Sequence, residues 1–314
     1  MTSGSGPYTE LEALIQERHN GKQLKLALRT RALSALSGGN RSNFRGRGID
    51  FEEVREYQPG DDIRTIDWRV TARTGAAHTK IFREERERPV LVVTDQRNSM
   101  FFGSRNCCKS VLAAHTAALL AWAALEQGDR VGGLVFNDRE HREVRPRRSR
   151  GAVLNYLHQL NELNRQLPDL ERTETAAQPF ADTAAEVRRI ARPGSAVLII
   201  SDFRGALGAR AMEHLHQLSR HTEITALHCS DPLEQNLPEQ GRYRVTDGKL
   251  KIDLNTGDGA VRTAFSQRYR DSLDELQDNF GKLGIPLLQL STAEPALDSL
   301  LPYFSSMRRG VTTA

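Results

Sequence analysis

Two aspartates that end aliphatic runs are the residues best placed to do chemistry. Asp95 follows Val90-Leu91-Val92-Val93-Thr94 and precedes Gln96, Arg97, Asn98 and Ser99; Asp202 follows residues 196–201 (AVLIIS). Apolar runs of this kind predict strands buried on both faces. Acids leaving the carboxyl ends of neighbouring parallel strands lie where open α/β sheets bind ligands. Two carboxylates with hydroxyls beside them form an oxygen-rich site suited to a hard divalent ion such as Mg²⁺, which takes one or two carboxylates and keeps several waters. The same aspartates can instead cap the turns and helix N-termini that follow. An Mg²⁺-dependent phosphate-ester hydrolase using Asp95 and Asp202 is an alternative, although such chemistry usually needs more acids, a nucleophile or a second metal.

A second group is basic. Arg139, Arg142, Arg145, Arg147, Arg148 and Arg150 crowd one segment, with acids at Asp138, Glu140 and Glu143. This pattern fits an exposed hairpin leading into a helix, and equally a docking patch for an acidic partner or a phosphate backbone. The chain as a whole is nearly balanced, 44 basic against 40 acidic residues, with both signs interleaved, which disfavours nucleic-acid binding. Cys107 and Cys108 are adjacent and Cys229 is remote, so the expectation is buried, inert thiols and no disulfide framework. There is no GxxxxGK[ST] phosphate loop, no HExxH and no Gly-x-Ser-x-Gly. His115, inside an apolar run, is expected to be a satisfied core histidine.

The elements that position the aspartates follow from periodicity. The spacing predicts helices over residues 8–20 and 22–37, then a polar, turn-rich stretch from 45 to 88 with a strong turn at Pro59-Gly60-Asp61-Asp62. From Pro89 onward, strands at 90–94, 130–137, 196–201, 223–229 and 285–290 alternate with helices near 106–127, 152–163, 181–191, 209–220, 260–283 and 296–305. Runs 243–246 and 250–254 predict a hairpin around Asp247-Gly248. Alternation of this sort implies βαβ units and a parallel sheet. The longest apolar stretch, residues 111–125, has 15 residues and a histidine, short of the roughly 20 a bilayer span needs, and predicts a buried helix. The opening residues MTSGSGPYTE show no basic start followed by an apolar run; a soluble, cytoplasmic protein is expected.

One set of motifs is highly specific. Arg45-Gly46-Arg47-Gly48, Glu53, Arg55-Glu56-Tyr57, Pro59 to Asp62, Ile66-Asp67-Trp68, Ala72-Arg73-Thr74, Arg86 to Pro89, Asp95 to Met100, Gly128-Asp129-Arg130-Val131 and Ser201-Asp202-Phe203 resemble the bacterial family catalogued as "domain of unknown function 58", over about residues 40–305. The resemblance implies a von Willebrand factor A-like α/β domain with a metal-ion-dependent adhesion site of the pattern Asp-x-Ser-x-Ser, a Thr and a second Asp. It also implies a non-catalytic partner or adaptor of a MoxR-type AAA+ ATPase. Carried over, Asp95 matches the first Asp, Ser99 the second Ser and Asp202 the distal Asp. Thr173 and Thr175 lie where the Thr ligand would be sought. Arg97 departs from the pattern, standing where the first Ser belongs. A guanidinium cannot coordinate a cation and repels one; it could pair with Asp95 or Asp202 and plug the site.

The resulting expectation is a doubly wound parallel sheet of von Willebrand A-like type at 89–308. It is preceded by a helical segment at 1–40 and a small irregular or β subdomain at 41–88, and followed by a tail at 309–314. Arg55, Glu56, Tyr57, Asp61, Asp62, Asp67 and Trp68 form the subdomain's signature, with Tyr57 and Trp68 as packing anchors. Expected partners are a MoxR-type AAA+ ATPase and an unknown client. The cofactor is Mg²⁺, or none if Arg97 fills the site, and no catalytic residue is assigned. The docking candidates are Arg142, Arg145, Arg147, Arg148 and Arg150.

Overall fold

The computed structural model describes residues 5–26, 50–58, 66–83, 88–167, 177–246 and 251–304. The chain divides into two compact units, Asn40–Glu87 and the remainder.

In the smaller unit, β1 (Asp50–Glu56) and β2 (His78–Arg83) pair antiparallel, and α2 (Trp68–Thr74) lies between them in sequence. Asp67 caps α2, its carboxylate accepting from the Arg69 and Val70 backbone N–H groups, and Gly75 ends it at φ +78°, a left-handed conformation that favours glycine. Trp68 corrects an expectation: it is 68% exposed and anchors no packing. The half-buried side of α2 belongs to Val70 and Thr71, and Thr71 Oγ1 accepts from the His78 N–H, which leaves the first residue of the helix facing solvent. Tyr57 is half-buried and Glu56 exposed. Asp61, Asp62 and the Arg55 side chain lie outside the described residues.

The larger unit carries a six-stranded sheet in the order β10 (Leu287–Ser291), β7 (Glu223–Ser230), β6 (Ala196–Ser201), β3 (Pro89–Asp95), β4 (Arg130–Phe136), β5 (His141–Arg147). The first five are mutually parallel and β5 is antiparallel. Side-chain alternation explains the continuous apolar runs. Val90, Val92, Leu198 and Ile200 join one buried cluster, with α3 (Lys109–Glu126) and α4 (Arg150–Arg165). Leu91, Val93, Val197 and Ile199 join a second, with α5 (Ala177–Ile190), α6 (Ala209–Ser219) and α8 (Gly259–Lys282). Both faces are covered, as a parallel sheet requires. α7 (Pro232–Gln235) follows β7. A separate two-stranded ribbon of β8 (Arg242–Thr246) and β9 (Lys251–Asn255) leads to α8. The loop at Asp247-Gly248 lies outside the described residues.

The apolar stretch at 111–125 is the centre of α3, buried all round between the sheet and α1 (Leu11–Gly21), α4 and α9 (Ala296–Phe304). His115 is satisfied there by Glu17 of α1, Nδ1 to Oε1 at 2.8 Å. Among the described residues no helix is long and apolar enough to cross a membrane.

Two expectations need correction. Residues 22–26 do not open a second helix. Leu24 and Leu26 are buried while Lys25 is exposed, an alternation that belongs to extended chain, and Lys25 N–H donates to the Phe304 carbonyl. Residues 27–37 lie outside the described set. The sheet also has a sixth strand: the arginine-rich segment forms β5, which buries only Val144 and therefore carries little apolar signal.

Tight packing between strands and α4 is visible at Gly133. A Cβ there would lie 2.3 Å from the Val92 carbonyl oxygen and 2.6 Å from the Tyr156 ring. Gly133→Ala is therefore expected to lower unfolding free energy by about 3 kcal/mol, measurable in urea; a change below about 1 kcal/mol would show that the sheet yields there.

Candidate functional site

The chain leaves β3 through α3 to β4 and β5 on one side, then returns through α4 and α5 to β6 on the other. The gap between the carboxyl ends of β3 and β6 is thus the topological switch point of the sheet. Asp95 and Asp202 emerge there, both buried.

The backbone turn after β3 brings Arg97 back onto Asp95. Arg97 N–H donates to Asp95 Oδ1 at 2.9 Å, Nε lies 3.0 Å from both carboxylate oxygens, and Nη2 donates to Oδ2 at 2.6 Å. The guanidinium sits 5.5 Å from the centroids of both Phe136 and Phe180, stabilised by their faces. Nη1 donates to the Arg204 carbonyl at 2.9 Å, and Nη2 also reaches Asp202 Oδ1 at 3.4 Å. Ser201 Oγ donates to Asp95 Oδ2 at 2.6 Å and accepts from the Phe203 N–H at 2.8 Å. Phe203 itself has φ +56°, a strained conformation for a bulky residue. Its ring packs on His228, Phe180 and Phe280.

Asp202 is held from the other side. Its Oδ2 lies 3.2 Å from Lys109 Nζ, which also donates to Glu234 Oε1 at 2.7 Å. The Arg204 N–H donates to Asp202 Oδ1 at 3.1 Å, and its guanidinium, 58% exposed, closes the cluster over Asp202 and Glu234. Three carboxylates and three cations therefore meet at one strand-end rim. Such a cluster avoids the cost of an unpaired buried charge.

Titration follows the geometry. Burial raises the Asp95 carboxyl above its ordinary value, opposed by Arg97 and Ser201. Against burial, which would lower it, the field of Asp95 holds the Arg97 guanidinium charged. Against burial, which would raise it, Lys109, Arg97 and Arg204 hold Asp202 well below the carboxylate range. His228 is pushed down to about 4 by burial. The unfolded chain, with histidine near 6.5, then binds more protons below that pH, so stability present above about pH 6.5 falls as pH drops toward 4, by about 3 kcal/mol for this group. His228→Asn should flatten that slope in urea unfolding between pH 7 and 4; an unchanged slope would assign it elsewhere.

The structure thus brings Asp95, Arg97 and Asp202 together and leaves Ser99 apart. Ser99 Oγ is buried without a hydrogen-bond partner among the described residues and so bonds neither carboxylate. Thr173 and Thr175 lie outside the described residues. As arranged, the donors do not fit a hard divalent ion: both Asp95 oxygens face a guanidinium, and Asp202 faces an ammonium and two guanidinium groups. Sequence reasoning missed Lys109, Arg204 and Glu234. Lys109 had a signal, a lone lysine opening an otherwise apolar helix, at the end where a cation is disfavoured. It also missed a third strand-end acid, Asp231 after β7. Asp231 takes the capping role, accepting from Leu233 N–H in a capping box with Glu234 and binding Ser104 and Thr292.

The basic candidates separate. Arg142 is engaged by Glu140, Gln159 and Glu162, whereas Arg145, Arg147, Arg148 and Arg150 are exposed. The thiols are free and Cys107 and Cys229 are buried; burial pushes Cys107 up to about 11, consistent with an inert group.

The family model described as "Protein of unknown function DUF58" matches residues 53–275. Uncharacterized proteins of Mycobacterium tuberculosis (strain H37Rv) and Mycobacterium bovis are each 29% identical over 294 residues, covering 92% of this chain and 89% of theirs. Among solved structures, the chain is similar to a conserved hypothetical protein BatB from Bacteroides thetaiotaomicron (14% identity, TM-score 0.38, 63% of this chain and 98% of that one). It is also similar to an aerotolerance-related membrane protein from Bacteroides fragilis (16% identity, TM-score 0.41, 68% and 97%).

Proposed function

This chain belongs to the DUF58 family of proteins of unknown function, and from that premise we propose that it is a non-enzymatic protein-interaction module of von Willebrand A-like type. In this reading it works in the cytoplasm beside a MoxR-type AAA+ ATPase on a client protein. The rim around Asp95 and Asp202 is its binding edge, and Arg97 replaces the divalent ion of a metal-dependent adhesion site.

The observation that carries the reading is the closed ion cluster at the switch point. In a metal-dependent site a cation draws two carboxylates together and presents charge to a partner. Here Arg97 bridges Asp95 and Asp202 from inside the fold, and Arg204 is the one cation of the cluster that reaches the surface substantially. The rim is thereby preformed without a cofactor and offers a partner carboxylate a guanidinium rather than a metal. The hydrolase alternative needs Asp95 and Asp202 open to metal and water, and both are already engaged. Three free cysteines accord with a reducing compartment.

Affinity capture of the tagged full chain from its own cells, with and without ATP and Mg²⁺, tests the partnership. Co-purification of an AAA+ ATPase that Arg204→Glu abolishes is expected. Hydrolysis of a phosphate ester by the pure protein, lost in Asp95→Asn, would overturn the reading.

A further inference from the structure

The sheet ends on β5, with no strand beyond it among the described residues. The hairpin closes with Asn137 N–H donating to the Glu140 carbonyl, which makes that facing pair hydrogen-bonded. Along an antiparallel ladder hydrogen-bonded and open pairs alternate. With the register Phe136↔His141, Val135↔Arg142, Leu134↔Glu143, Gly133↔Val144, Arg142 and Val144 turn their backbone groups to β4. Those of His141 and Glu143 point outward. The pairing register then shifts at residues 145–146, where Pro146 supplies no N–H.

Charge at this edge is one-sided. The nearby acids are consumed: Glu140 and Glu162 hold Arg142, and Glu143 holds Arg189. Arg145, Arg147 and Arg150 are exposed and have no carboxylate partner among the described residues. α4 begins immediately after, with Ser149 as its cap and no acid in its first turn, so the positive end of its dipole adds to the same field.

We propose that the outer edge of β5 is a docking site for an acidic extended segment of another protein, added as a seventh strand. The outward N–H and C=O groups of His141 and Glu143 would pair with its backbone, and Arg145 and Arg147, which the register shift sets on opposite faces of the sheet, with carboxylates on both faces of it. A second copy of this chain is disfavoured as the occupant, because both copies would bring the same net positive edge. Nucleic acid fits less well, since its phosphate backbone has no N–H groups to donate to the outward carbonyls. Arg145 and Arg147 take no part in the switch-point cluster, so variants at these residues test this proposal independently of the one made for that rim.

The probe is a fluorescein-labelled oligoglutamate peptide, titrated into the full chain at low salt, with oligothymidine as comparator. Saturable peptide binding is expected, weakened about ten-fold or more by Arg145→Glu/Arg147→Glu. It should weaken similarly in Glu143→Pro, which removes an outward N–H without touching the ladder to β4. Bound peptide should also slow amide exchange at residues 141 and 143 by about ten-fold or more. Absence of peptide binding, tighter binding of oligothymidine, or binding that Glu143→Pro and the edge amides do not register would each overturn the proposal.

Discussion

Replacing Arg97 by methionine is expected to lower the free energy of unfolding by about 3–5 kcal/mol, the range for removing one partner of a buried ion pair. The reason is local. Asp95 is fully buried, and apart from Arg97 its side chain has the single hydroxyl of Ser201 as a side-chain donor. Without the guanidinium it must protonate or remain an uncompensated charge between Phe136 and the neighbouring strand. The double variant Arg97→Met/Asp95→Leu should regain most of the loss, since a buried ion pair replaced by apolar side chains is often neutral or better. Urea unfolding of the two single variants and the double variant gives the coupling energy directly. Additive losses would show that the pair is incidental and that the cluster does not organise the strand ends.

Lys109→Met is expected to have the second largest effect, about 2–4 kcal/mol. The loss is smaller because Asp202 retains Arg97 and Arg204, and Glu234 retains Arg204. It carries a pH signature that a packing defect lacks. In the wild type the Asp202 carboxyl is held down by Lys109, Arg97 and Arg204 against burial. Its contribution is therefore complete above the unfolded value near pH 4 and is lost as pH falls through the folded one. Removing Lys109 raises the folded pKa, so the acid loss attributable to Asp202 shrinks or reverses sign. The difference between wild type and variant should thus be greatest near neutrality and narrow below about pH 4. A pH-independent difference would assign the effect to lost packing.

The strand ends were legible because β3, β4, β6 and β7 are buried on both faces, and the apolar runs of β3 and β6 end in the aspartates of the site. β5 was legible as one arm of an exposed hairpin but not as a strand of the central sheet: six of its seven residues face solvent or half-buried surroundings, so it carries no apolar run. Trp68 misled for the opposite reason, since aromatic character predicts burial but a helix's first residue need not face the core. That Arg97 would pair with a strand-end carboxylate followed from residue chemistry, but whether with Asp95 or Asp202 was left open; the structure has it on both, most closely on Asp95. The contacts of Lys109 and Glu234 could not be assigned in advance, since Lys109 reaches Asp202 across 93 residues of sequence and Glu234 joins through Lys109 and Arg204, a juxtaposition only the tertiary fold creates.

The central claim is that Arg97 occupies the position a divalent ion would take between Asp95 and Asp202. Calorimetric titration of the wild type and Arg97→Ser with Mn²⁺ and Mg²⁺ tests it most directly. The account predicts no saturable heat for the wild type at millimolar metal. For Arg97→Ser it predicts saturable binding, with roughly 3 kcal/mol of stability regained at metal about a hundred-fold above Kd. Saturable binding by the wild type that Asp95→Ala abolishes, or an Arg97→Ser variant as blind to metal as its parent, would contradict it.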